Sequence, residues 1–116
     1  MDEQPLEISA EDFARIHDEG DVTLVDVREP AEYRSGHLPG AELVPMRAVA
    51  DKAAELPRDE PVYVICATGN RSRSMTEVLR RAGIEAYSVA GGTQGWAVGA
   101  PGRELVAGAY PVAQHA

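Results

Sequence analysis

The chain has 116 residues, of which 44% are hydrophobic and 26% charged, a composition typical of one soluble globular domain without a second core. Its formal net charge of −8 argues against nucleic acid as a partner. No apolar run approaches the roughly 20 residues that cross a bilayer, and the acidic start of the chain is unlike a secretory signal, so we expect a cytoplasmic protein without a membrane partner.

The first part of the chain predicts two strands around one helix. Residues 6–8 would form a short edge strand. Ser9 is suited to cap a helix over residues 10–19, which Gly20 would end. The β-branched run at residues 22–27 predicts a second strand.

The middle of the chain predicts a weaker strand and a second helix. Residues 41–44 are a modest strand candidate ahead of Pro45. A helix follows whose apolar face has i, i+3, i+4, i+7 spacing and which Pro57 ends. The residues of that face are Met46, Val49, Ala50 and Ala53.

The next stretch repeats the alternation of strand and helix. Residues 61–65 predict a strand, a helix ending at Gly83 follows, and residues 86–89 predict another strand. The apolar face of this helix consists of Met75, Val78, Leu79 and Ala82. Strands that alternate with helices in this way predict an α/β fold, with a mainly parallel sheet and helices on both faces.

The end of the chain is rich in glycine and proline. We expect a short helix near residues 93–97 and an irregular tail at residues 108–116, so that the domain itself would span residues 1–107.

Cys66 stands where the predicted strand 61–65 ends. In open α/β sheets, ligands bind just beyond the carboxyl ends of the strands. Five residues then pass before the expected start of the next helix. Because Cys66 is the only cysteine, an internal disulfide and a cysteine metal cluster are excluded, and any sulfur chemistry must be completed by another molecule.

The residues after Cys66 have the properties of an anion cradle. Gly69 permits positive φ angles and Asn70 tolerates them, so the loop can turn its N–H groups inward. The first N–H groups of the following helix point to the same place. Arg71 adds a positive charge with donors suited to oxyanions. Such surroundings lower the pKa of a thiol, which makes Cys66 a candidate nucleophile. The alternative is a buried structural thiol.

Other polar residues offer no competing site. We expect His17 and His115 to be surface residues, and His37 to stabilise a turn. Arg80 and Arg81 would belong to a solvated helix face. The acidic residues have no metal-ligand spacing, so we predict neither a metal nor a cofactor.

Three blocks of residues in a fixed order connect the chain with one family. The first block comprises residues 24–29, Tyr33 and residues 36–41. The second comprises residues 66–72. The third comprises residues 83–84, residues 91–92 and Trp96. In this order and spacing, over roughly residues 6–107, the chain resembles the rhodanese family in its single-domain form.

The resemblance implies a five-stranded sheet with the order 1-5-4-2-3 and a two-step sulfur transfer. Cys66 would take a sulfane sulfur from a small anionic donor, either thiosulfate or a persulfide or polysulfide, and hold it as a persulfide. The acceptor would be cyanide or a thiol, including a thiol on a protein. The implied substrate-binding residues are Ala67, Thr68, Gly69, Asn70, Arg71 and Ser72.

The resemblance also assigns a structural role to two charged residues, Asp26 and Arg28. We expect Arg28 to pair with a carboxylate such as Glu32 and Asp26 to accept backbone hydrogen bonds, because a buried charge without a partner is very costly.

One departure from the family concerns the donor. Thiosulfate-using members often have more positive charge inside the loop, whereas Ala67, Thr68 and Asn70 are neutral here. Thiosulfate would then be a poor donor, and a persulfide or polysulfide would be preferred.

Two alternative functions remain open at this point. A cysteine phosphatase or arsenate reductase of the same fold would need a Cys-x5-Arg loop, but only four residues separate Cys66 from Arg71 here. A non-catalytic partner-binding module commonly lacks the cysteine or the loop glycine, and this chain keeps both Cys66 and Gly69.

Overall fold

The computed structural model of the chain describes residues 4–99 and 104–108, and their core is one five-stranded sheet. The strands are β1 (Glu7–Ile8), β2 (Thr23–Asp26), β3 (Glu42–Leu43), β4 (Val62–Ile65) and β5 (Ala86–Val89). The helices are α1 (Ala10–Asp18), α2 (Pro30–Ser35), α3 (Val49–Lys52), α4 (Asn70–Arg81) and α5 (Gly92–Gly99). Two 3-10 turns, Met46–Ala48 and Ala53–Glu55, flank α3.

The strand order is β1-β5-β4-β2-β3, and each pair of neighbours in this sheet is parallel. The register places Val25 beside Val64, and Val64 beside Ser88. The expected α/β fold and the strand order implied by the family resemblance are therefore confirmed.

Two apolar cores lie on opposite faces of the sheet, because successive side chains of a strand point in opposite directions. One core joins β-strand residues such as Val25 and Val64 to Leu79 of α4 and Val49 of α3. The other core packs Phe13 of α1 and Trp96 of α5 under the opposite face. Helices thus cover both faces, as the alternation of elements predicted.

Residues near the ends of helices and strands predicted several of these ends correctly. The N–H group of Asp12 donates to the Ser9 hydroxyl at 3.0 Å, so Ser9 caps α1 as predicted. The prediction for residues 86–89 matches β5. The other strands are shorter than predicted by one or two residues. For example, β4 begins at Val62 because Pro61 has no N–H group for the sheet.

The prediction of one continuous helix over residues 46–53 was wrong. This stretch consists of the two 3-10 turns with a single turn of α-helix between them, and Ala50 is exposed. No side chain caps either of the first two segments. A segment this short gains little from its own helical hydrogen bonds, so packing decides its form.

Helix α2 was not predicted at all. Its six residues are too few for an apolar periodicity, and Tyr33 is its one buried residue. The usable signal was Pro30 at the first helical position, where proline lacks only an N–H group that would be unpaired anyway.

Arg80 is part of the fold, which contradicts the expectation of a solvated residue. Its guanidinium donates to the carbonyl oxygens of Gln4 at 2.9 Å, Pro5 at 2.6 Å and Ala86 at 2.8 Å. It also lies 5.1 Å from the centre of the Tyr87 ring. Arg81 is exposed, as expected.

The segment 104–108 folds back on the domain. Val106 forms an antiparallel bridge with His37, and the N–H group of Gly108 donates to the carbonyl oxygen of Arg34 at 3.0 Å. Residues 109–116, with His115, lie outside the described residues, so the tail and the domain boundary stay predictions. Among the helices described, none combines the length and apolar character needed to span a bilayer.

Candidate active site

Cys66 follows the last residue of β4, at the carboxyl end of the strand that lies between β2 and β5. Its side chain belongs to the core on the α4 face of the sheet, in line with Val62 and Val64. The residue is only 1% exposed. The position at the strand end is the one the sequence predicted.

Gly69 turns the chain sharply from the strand into α4. Its φ of +110° lies in the left-handed region that favours glycine, and it is the residue before the first helical position. Helix α4 begins at Asn70, two residues earlier than expected, because the N–H group of Arg73 already donates to the carbonyl oxygen of Gly69 at 3.2 Å. Arg71 and Ser72 therefore belong to the first turn of the helix.

The Cys66 sulfur is surrounded by hydrogen-bond donors. The N–H group of Gly69 lies 3.1 Å from Sγ and that of Ser72 lies 3.3 Å from it. The Ser72 hydroxyl oxygen is 3.5 Å away. The amides at the helix start are thus directed at the sulfur, where they can stabilise a negative charge.

Burial and hydrogen bonding have opposite effects on the pKa of the Cys66 thiol. Burial raises this pKa, because it disfavours the charged thiolate. Hydrogen bonds from the Ser72 hydroxyl and from the N–H groups of Ser72, Gly69 and Thr68 lower it, and the net pKa is below the ordinary value of 9.0. The thiolate fraction at neutral pH is raised accordingly.

The other side chains of the loop are not directed into this cradle. Ala67 is half-buried, whereas Thr68 and Asn70 are exposed. Of the six substrate-binding residues that the resemblance implied, Gly69 and Ser72 make the hydrogen bonds to Sγ described above. Thr68 contributes through its backbone N–H group, which also lowers the pKa of Cys66, although its side chain is exposed.

Arg71 points to Glu32 of α2. Its two terminal nitrogens lie 2.9 Å from the two carboxylate oxygens of Glu32, an end-on pair with about a third of each side chain exposed. The hydrogen bond from Arg71 is the main reason that the pKa of Glu32 falls to about 2. The positive charge expected to face the donor is therefore largely neutralised within the protein.

Arg28 pairs with a carboxylate, as expected, but the partner is Asp26 and not Glu32. Arg28 donates to Asp26, with an Nη2 to Oδ2 distance of 2.8 Å, and to the carbonyl oxygen of Gly36 at 2.7 Å. Residues two apart in an extended chain lie on the same side, which brings Asp26 and Arg28 together. Asp26 also accepts the N–H group of Arg28 at 3.1 Å, as expected of a structural carboxylate.

The start of α5 holds the loop from the other side. The N–H groups of Thr93 and Gln94 donate to the carbonyl oxygens of Cys66 at 2.8 Å and Ala67 at 3.1 Å. A Cβ on Gly92 would overlap the Cys66 oxygen and would lie 2.5 Å from the Ala67 oxygen. The sequence analysis missed this contact, although the glycine pair after β5 was a usable signal.

Ser88 is a second residue that the sequence analysis missed. Its hydroxyl oxygen lies 2.6 Å from that of Ser72, and both residues are fully buried. A serine in the core-facing register of a buried strand was the available signal.

The described histidines bond to the backbone. His37 is buried, its Nδ1 lies 2.7 Å from the carbonyl oxygen of Tyr33, and its ring stacks on that of Tyr33. This agrees with the expected stabilisation of a turn. His17 Nε2 lies 2.8 Å from the carbonyl oxygen of Pro39. Within residues 4–99 and 104–108, no group of three or more His, Cys, Asp or Glu side chains is placed to hold a metal ion.

Comparison with known proteins supports the resemblance seen in the sequence. A sequence model of the family described as "Rhodanese-like domain" matches residues 9–98. The chain is 32% identical over 90 residues to the thiosulfate sulfurtransferase GlpE of Pseudoalteromonas translucida, an alignment that covers 77% of this chain and 86% of that protein. It is 36% identical over 93 residues to a sulfurtransferase of Allochromatium vinosum, with coverage of 78% and 87%.

Other relatives match over different shares of their length. The uncharacterised protein YqhL of Bacillus subtilis is 38% identical over 74 residues, which are 63% of this chain but only 59% of YqhL. Among solved structures, a rhodanese-like domain protein from Staphylococcus aureus superimposes with a TM-score of 0.77 at 31% identity, covering 90% of this chain and 100% of that one.

Proposed function

The chain belongs to the family of rhodanese-like domains, and from that membership we propose that it is a sulfurtransferase that carries a sulfane sulfur as a persulfide on Cys66. The observation that supports this most directly is the pair of amides, from Gly69 and Ser72, directed at the Cys66 sulfur. Two relatives that are named as sulfurtransferases and match over most of their length support the same reaction class.

In the first half of the reaction, the Cys66 thiolate attacks the outer sulfur of the donor. With thiosulfate, the new bond is Cys66–S–S⁻, the sulfur–sulfur bond of the donor breaks, and sulfite leaves with its electron pair. With a persulfide RSS⁻, the leaving group is the thiolate RS⁻. The total charge is conserved in both cases, and the N–H groups at the start of α4 would hold the anionic sulfur.

In the second half, a thiophilic acceptor attacks the outer sulfur of the loaded cysteine. A thiolate becomes a persulfide, or cyanide becomes thiocyanate, and the Cys66 thiolate is restored. Because these 116 residues contain one cysteine, no second thiol among them can take the sulfur. The acceptor therefore has to come from outside.

The Arg71–Glu32 pair bears on the class of donor. Glu32 occupies both terminal nitrogens of Arg71, so a dianionic donor such as thiosulfate gains little from this charge. We expect a persulfide or polysulfide to be the better donor. The same pairing disfavours a phosphatase, in which an arginine of the loop has to bind the phosphate oxygens.

The test is intact mass measurement after incubation with donor. Wild-type protein treated with glutathione persulfide or thiosulfate should gain the mass of one sulfur atom and lose it on addition of cyanide. Cys66→Ser should gain nothing and should keep the melting temperature of the wild type. A wild-type protein that never gains sulfur from either donor would refute sulfur transfer and would favour the partner-binding module.

A further inference from the structure

Two buried hydroxyl groups, of Ser72 and Ser88, form a row of contacts that begins at the Cys66 sulfur. The Ser72 oxygen lies 3.5 Å from the sulfur, and the Ser88 oxygen lies 2.6 Å beyond it. Ser88 belongs to β5, two residues after Ala86, and so points to the same face of the sheet, against α4. Both hydroxyls are shielded from water by complete burial.

The single proton of the Ser72 hydroxyl has to be shared among several acceptors. Besides the sulfur and the Ser88 oxygen, the carbonyl oxygen of Gly69 lies 3.2 Å away. That carbonyl already accepts the N–H group of Arg73 at 3.2 Å. The Ser72 hydroxyl can therefore turn away from the Gly69 carbonyl oxygen, and that oxygen still keeps a hydrogen bond.

The direction of donation depends on the charge of the sulfur. A thiol can donate its own proton to the Ser72 oxygen. A thiolate can only accept a hydrogen bond, so the contact between Ser72 and the Cys66 sulfur then requires Ser72 to donate. At that moment the Ser72 oxygen is free to accept, and the Ser88 hydroxyl is the group placed to donate to it.

We infer that Ser88 is a positioning residue for Cys66, which donates to the Ser72 hydroxyl and so keeps the Ser72 proton directed at the anionic sulfur. A chain of hydrogen bonds in a buried setting polarises each member, which strengthens the last bond of the chain. No covalent bond changes in this step, since the hydroxyl groups only rotate. The role assigned to Ser88 rests on the proposed function, in which Cys66 is a thiolate when it attacks the donor and again when the acceptor has taken the sulfur.

The charged groups around the sulfur are already engaged. Arg71, on the first turn of α4, is held by Glu32 of α2. Asp26, at the end of β2, is held by Arg28. From the side of α5, the loop meets the backbone N–H groups of Thr93 and Gln94. All of these groups remain in a Ser88 variant. A change in the pKa of Cys66 in that variant would therefore come from the loss of the Ser88 hydroxyl.

The test measures the pH dependence of alkylation of Cys66 by iodoacetamide. In Ser88→Ala, the alkylation rate on the acidic side of the profile should fall about threefold relative to the plateau at high pH, an upward shift of about half a pKa unit. Because Cys66 is the only cysteine, the reaction reports on one thiol. An unchanged profile in Ser88→Ala would overturn the inference.

Two further variants separate positioning from packing. Thr76 is also buried on α4, but its hydroxyl has no hydrogen-bond partner among the described residues, so Thr76→Val should leave the alkylation profile unchanged. In a Ser72→Ala background, the additional Ser88→Ala change should have no effect on the profile, because Ser88 acts through Ser72. An effect of similar size in that background would also overturn the inference.

Alkylation does not require sulfur transfer. The inference can therefore fail while the protein still transfers sulfur, and the proposed function can fail while Ser88 still shifts the acidity of Cys66. The mass measurement described above decides the function, and the alkylation profile decides the role of Ser88.

Discussion

The Cys66 thiol is buried, yet its surroundings favour the charged form. In an apolar core the pKa of such a thiol would be raised and the residue would be inert. Here the hydrogen bonds from Ser72, Gly69 and Thr68 outweigh burial, and the pKa is lowered. The difference between a structural and a reactive cysteine is thus made by a few donors within one turn of chain.

The acidity of Cys66 gives a first prediction. The alkylation rate should reach half its maximum at a lower pH in native protein than in urea-unfolded protein, because the native hydrogen bonds stabilise the thiolate. A group with a lowered pKa in the folded state also makes folding more favourable as pH rises from that pKa toward the ordinary value of 9.0. Identical midpoints for the native and unfolded protein would contradict this.

Individual contacts at the site were predicted from sequence with mixed success. The position of Cys66 and the role of Gly69 followed from a strand end and a residue that tolerates positive φ. The pairing of Arg71 with Glu32 could not be predicted, because the two residues are distant in sequence and an ion pair has no sequence periodicity. Ser88 was missed for the same reason, since its hydroxyl acts only through a contact between β5 and α4.

At the scale of elements, the site depends on how closely α5 approaches the loop after β4. Gly92, with a φ of +61°, allows this approach because it has no Cβ. Gly92→Ala should force the carbonyls of Cys66 and Ala67 to move, and we expect the rate of sulfur transfer to fall at least about tenfold, since displacements near 1 Å can be costly at a reacting centre. The measurement is kcat with cyanide as acceptor.

Gly20→Ala is the matched control for Gly92→Ala. Gly20 has a φ of +83°, but a Cβ there would meet nothing within 4 Å. Both variants bear the strain of a left-handed alanine, about 1–2 kcal/mol, while only Gly92→Ala disturbs the loop. Equal losses of kcat in the two variants would show that the contact of α5 with the loop is unimportant.

The ion pair between α2 and α4 leads to a prediction about the donor. Glu32→Gln would keep an oxygen for the N–H group of Glu29, which donates to Glu32 at 2.9 Å, but would leave the Arg71 charge uncompensated. We expect the KM for thiosulfate to fall roughly fivefold at low ionic strength, and the gain to shrink in high salt. The KM for glutathione persulfide should change less, because its reacting end carries one negative charge where thiosulfate carries two.

Asp12→Asn serves as the control for Glu32→Gln. It also removes a carboxylate that pairs with an arginine, Arg15, but it lies on α1, on the opposite face of the sheet from α4. This variant should leave both KM values unchanged. A thiosulfate KM that does not respond to Glu32→Gln at low salt would show that the pair does not control donor choice.

Elements were predicted well where they are long and periodic, and poorly where they are short. Helices α1 and α4 have clear apolar faces, and both were expected close to their observed positions. Helix α2 has six residues and was missed, although it holds Glu32 and thus one half of the ion pair. Tertiary contacts, rather than local propensity, stabilise helices of this length.

For the whole molecule, Arg80 connects the beginning of the described chain to the sheet. Replacing it in Arg80→Gln removes hydrogen bonds to three carbonyl oxygens and should lower the free energy of unfolding by about 1 kcal/mol, a decrease of several degrees in melting temperature. The rate of sulfur transfer by the folded protein should not change. Urea unfolding and a transfer assay measure the two effects.

Arg81→Gln is the adjacent control, since Arg81 is exposed. Its effect on the free energy of unfolding should stay within about 0.5 kcal/mol. If the two variants are equally stable, Arg80 is the solvated residue that the sequence suggested.

The architecture itself was predictable, because the alternation of elements allows few arrangements of a parallel sheet. The strand order followed from the family resemblance and not from the alternation. The distribution of charge at the site was not predictable, since it depends on which elements the sheet brings together.

The pairing of β1 with β5 places residue 7 beside residue 88. During synthesis the amino-terminal strand emerges from the ribosome long before its partner exists, so the first strand has to wait unpaired while most of the domain is translated. Ser88 lies in that late partner strand and contacts the Ser72 hydroxyl. If Ser88 acts on Cys66 as inferred above, the thiol acquires its final acidity only when β5 has joined the sheet.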